Sequence, residues 1–229
     1  ICYNYYYNNF ISDVRQIAIT SNETKMLALL LINNCNIYYN GYNTPTPLEY
    51  AIKNGSDTTT EWILNFGSIT KHIMTSRLAV HVAILSKRYQ LLDHLLKRGF
   101  PVNGVSGIKP PIYLATIRDD SDSISILQKY GAAVDYRDNN NNTLLHIAVK
   151  MQKYKATYHL VNYIDIDSKN DEGMSPLHIA AKSNDELIVE LLLKKGADRF
   201  IIDKYSNTPV MYAIKNSNKS IIYHLLTTK

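Results

Sequence analysis

Asn170-Asp171-Glu172-Gly173-Met174-Ser175-Pro176-Leu177-His178-Ile179-Ala180-Ala181-Lys182-Ser183-Asn184-Asp185-Glu186-Leu187-Ile188-Val189-Glu190-Leu191-Leu192-Leu193-Lys194-Lys195-Gly196-Ala197-Asp198 reads as one complete turn-helix-helix unit. Gly173 permits the positive φ of a tight turn tip. Ser175 suits an N-cap, and Pro176 suits the first helical position, where a missing N–H costs nothing. A short helix through Leu177, Ala180 and Ala181 is broken by Ser183-Asn184-Asp185. A second helix from Glu186 carries Leu187, Ile188, Leu191 and Leu192 at i, i+1, i+4 and i+5, an apolar face. Gly196 ends it in the left-handed conformation favoured just past a helix.

The unit recurs. With His178 as phase marker, the matching positions are Gln16, Glu49, His81, Tyr113, His146, His178 and Met211, spaced by 33, 32, 32, 33, 32 and 33 residues. Two residues after each marker stands an alanine: Ala18, Ala51, Ala83, Ala115, Ala148, Ala180 and Ala213. A side chain of that size is what close stacking of helices requires. Gly67, Gly99, Gly131 and Gly196 occupy the helix-ending position, Asn34 substitutes in the first unit, and Ile164 departs from the pattern.

Ser175-Pro176-Leu177-His178-Ile179-Ala180 and Thr46-Pro47-Leu48-Glu49-Tyr50-Ala51, repeated at this period, resemble the T-P-L-H-x-A signature of ankyrin repeats of about 33 residues. The resemblance covers the whole chain. It implies an all-α solenoid of about seven helix-turn-helix repeats joined by β-turn fingers, forming a single domain over 1–229. The repeats fall at about 1–37, 38–70, 71–102, 103–134, 135–167, 168–199 and 200–229. Each repeat cannot bury its apolar face alone, so neighbours must stack. The last helix, with Ile221, Ile222, Tyr223, Leu225 and Leu226, is too apolar for a terminal cap, and the chain reads as a fragment of a longer protein.

A formal charge of +5 and a pI near 9.0 make the chain mildly basic. No apolar run approaches the roughly 18 residues that span a membrane. Cys2 and Cys35 are too few for a disulfide framework and read as reduced thiols, which places the protein in the cytoplasm (host cytoplasm if viral) or the nucleus. The uncharged aromatic start, Tyr3 to Phe10, suits a cap over the first helix pair or a binding patch.

Local chemistry is legible too. Asp138, Asn170 and Asp203 each precede a capping residue (Thr143, Ser175 or Thr208) by five positions, where an Asx side chain braces a turn. In Asp138-Asn139-Asn140-Asn141-Asn142 an asparagine takes the place of the turn glycine. Leu78 cannot cap, so the third repeat's first helix is expected to start at Thr75 or Ser76. Asp119, Asp120 and Asp122 read as a solvated turn, since they lack calcium-loop spacing.

No catalytic chemistry emerges. The sequence contains no Gly-rich phosphate loop, Cys-x-x-Cys, His-Glu-x-x-His or Gly-x-Ser-x-Gly, so no enzyme, metal or cofactor is expected. His81, His146 and His178 occupy the signature position, where the resemblance implies that the ring ties one repeat's turn to the next. His94, His159 and His224 share another phase but lie in non-adjacent repeats, too far apart to share a metal.

In this architecture turns and first helices line a concave face. First-helix positions four and five after each marker include Lys53, Arg118, Lys150, Met151, Lys182 and Lys215. The positions just before the caps, expected to point into the same groove, are Pro45, Arg77, Lys109, Asn142, Met174 and Asn207. The two sets hold seven cations and no acid. They read either as ordinary solvated helix surface or as a basic groove for an acidic segment of a host or cellular protein. With one lysine per repeat and no arginine cluster, nucleic acid is the lesser partner. The turns of repeats two to four depart most from pattern, which places the centre of the site at Tyr42, Arg77, Lys109 and Arg118.

Asn, Ile, Lys and Tyr, all A/T-rich in codon terms, are abundant, with 18 Tyr among 229 residues. Irregular ankyrin repeats in such a composition resemble poxvirus ankyrin-repeat proteins. That resemblance implies a host-range or immune-antagonist role, and in many members an F-box-like segment that recruits a ubiquitin ligase. Nothing after Met211 matches such a segment. Ankyrin effectors or scaffolds of other A/T-rich organisms are the alternative.

Overall fold

The computed structural model describes residues 14, 16–32, 46–67 and 78–227, with the backbone alone for 30–32, 66 and 67. Among these the chain is all-α. Helix α1 covers 16–20, and α2 is Thr24–Ile32, α3 Pro47–Asn54, α4 Asp57–Gly67, α5 Ala79–Leu85 and α6 Tyr89–Lys97. Then follow α7 Pro111–Ile117, α8 Ser121–Lys129, α9 Leu144–Lys150, α10 Tyr154–Leu160, α11 Pro176–Lys182, α12 Glu186–Lys194, α13 Pro209–Lys215 and α14 Lys219–Thr227. Odd-numbered helices are the first of each repeat and even-numbered ones the second.

The helices fall into two compact units, Ile1–Gly107 and Ile108–Lys229. In the first, α3 packs on α4 and α5, and α5 on α6. In the second, α7, α9, α11 and α13 pack in succession, with α8, α10, α12 and α14 packed in succession behind them. All seven phase-locked alanines are buried. Any larger side chain there would push neighbouring helices apart.

Helix starts follow the capping rules. Thr46 Oγ1 accepts the Glu49 N–H at 3.2 Å and Thr143 Oγ1 the His146 N–H at 3.4 Å, and Pro47, Pro111, Pro176 and Pro209 each open a helix. Leu78 makes no side-chain cap to α5, which begins at Ala79. The earlier start expected at Thr75 or Ser76 lies outside the described residues. Gly99, Gly131 and Gly196 end α6, α8 and α12 at φ of 88°, 78° and 89°, as the spacing requires.

Two expectations are corrected. Leu187 is 66% exposed, and α12 buries Ile188, Val189, Leu191 and Leu192 instead. The 119–122 run is not a solvated turn. Asp120 is a buried N-cap whose Oδ1 accepts the Ser123 N–H at 3.1 Å and whose Oδ2 accepts the Ser123 hydroxyl at 2.7 Å. Asp122 lies in the first turn of α8, and Asp119 Oδ1 accepts the Ala156 N–H of the next repeat at 2.8 Å.

The link between first and second helices is the same in six repeats and different in one. Asn22, Lys87, Asp119, Gln152, Asn184 and Ser217, each six residues after its marker, take positive φ of 52° to 61°. The equivalent in repeat two is the one residue made for that conformation, Gly55, yet its φ is −88°. A Cβ there would lie 2.9 Å from the Ala51 carbonyl oxygen and 3.1 Å from Ile19 Cγ2. This glycine serves close approach, to its own helix end at Ala51 and to Ile19 of repeat one, not backbone freedom.

Candidate protein-binding face

What sets the face is the joint between repeats. The His146 ring Nε2 lies 2.9 Å from the Met174 carbonyl oxygen, and His178 Nε2 lies 3.0 Å from that of Asn207. A carbonyl only accepts, so each Nε2 carries the proton and each Nδ1 is an acceptor. Nδ1 takes the N–H of the same repeat's capping residue, Thr143 at 3.3 Å and Ser175 at 3.1 Å. Burial pushes both rings below the ordinary histidine range, so the neutral form that this pattern needs is the one present near pH 7. His81 is likewise buried.

Repeat two carries Glu49 at the marker, and it performs the same joint with opposite polarity. Its Oε2 accepts the Thr46 N–H at 2.9 Å, and its Oε1 accepts the N–H of Leu78 in the next repeat at 3.0 Å. A carboxylate has no proton to give, so it takes an N–H where histidine gives to a C=O.

The fingers of repeats five to seven are braced as their sequence indicates. Asp138 Oδ1 accepts the N–H groups of Asn140 and Asn142, Asn170 Oδ1 those of Glu172 and Met174, and Asp203 Oδ1 those of Tyr205 and Asn207. Asn141, Gly173 and Ser206 supply the positive φ at each tip. An antiparallel bridge joins Arg137 and Thr143. Neighbouring fingers are stitched by Asp171 N–H to the Asn140 carbonyl at 3.2 Å and by Lys204 N–H to the Glu172 carbonyl at 3.1 Å. Tyr212 donates its hydroxyl to Asp203 at 2.5 Å, and burial with that neighbouring carboxylate pushes its pKa up to about 12.

Against this frame the expected site residues sort clearly. Lys53, Arg118, Lys150, Met151, Lys182 and Lys215 are all exposed at the ends of first helices. That position has a local reason as well, because the carbonyl end of a helix favours a cation. Lys109 is exposed but folded onto Tyr113. It donates to the Tyr113 hydroxyl at 2.9 Å, and its Nζ sits 4.3 Å from the ring centroid, so the hydrogen bond raises its pKa. Tyr42 and Arg77 lie outside the described residues. Two of the residues before the caps do line a groove, but as buried rather than exposed side chains. Asn142 and Met174 are 4% and 3% exposed, because the fingers need their backbones and side chains for bracing and packing.

In the second unit, one cleft of about 310 Å³ opens between the fingers of repeats five and six and helices α9 and α11. Its lining includes Lys150 and Lys182 from the ends of α9 and α11, Asp171 and Glu172 from the finger of repeat six, and the buried Asn142 and Met174. The face is therefore of mixed charge here, not uniformly basic. The two acids escaped the sequence reading because they lie on the finger tip beside Gly173, outside the helix-end and pre-cap positions. No group of three or more His, Cys, Asp or Glu among the described residues could hold a metal ion. His94 pairs with Glu61, His159 with Gln128 and His224 with Glu186, each separately.

A family model described as Ankyrin repeats (3 copies) matches residues 80–170 and again 155–229. The chain belongs to the ankyrin-repeat family, whose members are generally non-catalytic protein–protein interaction modules. It is similar to Rabankyrin-5 of Homo sapiens, 26% identical over 170 residues that make up 71% of this chain and 14% of that protein. It is 28% identical to the B-cell lymphoma 3 protein homolog of Mus musculus over 122 residues, 51% of this chain and 27% of that protein. An ankyrin repeat protein of Fowlpox virus (strain NVSL) is 28% identical over 180 residues, 73% of this chain and 91% of the viral protein. The chain thus spans only a small part of the vertebrate relatives and nearly all of the viral one. No helix among the described residues is long and apolar enough to cross a membrane.

Proposed function

We propose that this module seizes a host or cellular protein through its finger and first-helix face and serves a virus as an adaptor or sequestering surface against host antiviral defence, in the host cytoplasm. Residues 1–229 act as one seven-repeat domain in this reading. The observation that carries it is the exposed row Arg118, Lys150, Met151, Lys182 and Lys215 at successive first-helix ends of the second unit. The near full-length likeness to a fowlpox virus protein supports the viral setting. Lys53, Lys109, Tyr42 and Arg77 are the proposed contributors from the irregular repeats. Recruitment of a ubiquitin ligase would need an F-box-like segment that residues 211–229 do not resemble.

Affinity capture from host cytosol tests this with two sets of variants. One set truncates Tyr42, Arg77, Lys109 and Arg118 to Ala, and the other Lys150, Lys182 and Lys215. A specific partner should be recovered by the parent chain and lost with the first set, each interface anchor costing about 2 kcal/mol on truncation. Loss with the second set alone, in folded proteins, moves the centre to the regular repeats. Retention with both overturns the face as the site. Titration with RNA and DNA across salt is the companion measurement. Tight binding with a steep salt slope would make nucleic acid the partner instead.

A further inference from the structure

We infer that the cleft between the fingers of repeats five and six accepts an extended peptide segment bearing both charges, an acidic side chain beside Lys150 and Lys182 and a basic one beside Asp171 and Glu172. This rests on the protein-binding reading and specifies the partner's chemistry at one place on the face.

Three observations carry it. The cleft's volume of about 310 Å³ lies at the low end of ligand sites, which run from roughly 300 to 1,000 Å³. That leaves room for about two side chains of a peptide rather than a folded element. Its charges are uncommitted to each other: among the described residues Lys150, Lys182, Asp171 and Glu172 form no salt bridge within the set. A wholly acidic segment would meet the two finger-tip carboxylates, and a wholly basic one the two lysines. Like-charge juxtaposition at an interface costs more than the matched half returns.

The third observation is that the walls are already fixed. Asn170 Nδ2 donates to Asn142 Oδ1 at 2.8 Å, and the Asp171 N–H donates to the Asn140 carbonyl at 3.2 Å. The Glu172 carbonyl is held by the Lys204 N–H, and Lys182 Nζ sits 5.7 Å from the Tyr212 ring centroid. The finger backbone therefore needs little further ordering on binding. Phosphate-rich strands fit less well, because Asp171 and Glu172 repel them.

The test uses the full chain and four fluorescein-labelled decapeptides on a Gly/Ser background: one with Glu and Arg, one with Glu only, one with Arg only and one neutral. Fluorescence anisotropy should show the mixed peptide binding about tenfold tighter than either single-charge peptide. Lys150→Glu with Lys182→Glu should abolish that preference, and Asp171→Lys with Glu172→Lys should shift it to the Glu-only peptide. All four residues are exposed, so the variants keep the fold, which circular dichroism checks. Equal or tighter binding of the Glu-only peptide to the parent chain overturns the inference. So does binding of an oligouridine RNA in preference to the mixed peptide, or no binding of any peptide. If no peptide binds while cytosolic capture still depends on Lys150 and Lys182, this inference fails and the protein-binding reading stands.

Discussion

Repeats two, five and six solve one problem with opposite chemistry. In the regular repeats His146 and His178 give a proton to the carbonyl of the residue just before the next cap. In repeat two Glu49 takes the N–H of Leu78, which sits at the next capping position itself. Carbonyl and N–H at those two positions belong to the same peptide unit. The joint is thus defined by which peptide must be held, and either pole of that peptide is an adequate handle. At Glu49 the departure from the signature residue is a change of polarity, not the loss of a link.

The largest expected effect breaks the joint on each side of this comparison. His178→Ala leaves the buried Ser175 N–H and the Asn207 carbonyl without their partner and opens a cavity, and should cost about 3 kcal/mol. Glu49→Ala should cost about 2 kcal/mol by freeing two N–H groups at a half-buried site. Both are read as shifts in urea unfolding midpoints. A silent Glu49→Ala would mean that the carboxylate is no substitute for the histidine. Glu49→Gln sharpens the point, since one amide oxygen cannot serve both N–H groups, and about 1 kcal/mol should go.

The inter-helix turn provides the next contrast. Gly55→Ala should destabilise by about 1–2 kcal/mol, because its Cβ would press on the Ala51 carbonyl and Ile19. Lys87→Gly should do the opposite and stabilise by about 1 kcal/mol, since Lys87 holds φ of 52° where glycine is relaxed. Thermal unfolding of the pair checks both signs. Equal signs would mean that Gly55 is there for its backbone after all.

Mild acid should give the smallest effect. The pKa values of His146 and His178 are lowered on folding by burial, so the unfolded chain binds protons first. Their contribution is fully present above the unfolded value near 6.5 and is lost as pH falls below it toward the folded values. Unfolding midpoints should therefore drop between pH 7.5 and pH 6, and His146→Gln with His178→Gln should flatten the drop. A parent midpoint that is level across that range would show that the rings are not buried neutral.

Much of this was readable from residues alone. Asp138, Asn170 and Asp203 declared braced fingers because an Asx oxygen reaches two N–H groups whatever surrounds it. Gly99, Gly131 and Gly196 declared helix ends because only backbone freedom is at stake there. Leu187 was misread because α12 carries Leu187, Ile188, Val189, Leu191, Leu192 and Leu193. Six apolar residues in nine make an arc too wide for periodicity to tell which edge faces water. The burial of Asn142 and Met174 was hidden for a related reason, as a residue beside a cap can turn toward the solvent or under the finger.

The sequence by itself determined the repeat, its phase, the all-α class and the absence of recognised catalytic motifs, since these follow from local spacing and from side-chain size at seven alanine positions. Tertiary structure alone decided that Glu49 reaches Leu78, that Gly55 lies against Ile19, and that Asp171 and Glu172 share a cleft with Lys150 and Lys182. Each of these joins residues of different repeats or different elements. Pairing across such a gap depends on how one element is set against another, to within an ångström or so. Spacing along the chain carries no record of that distance.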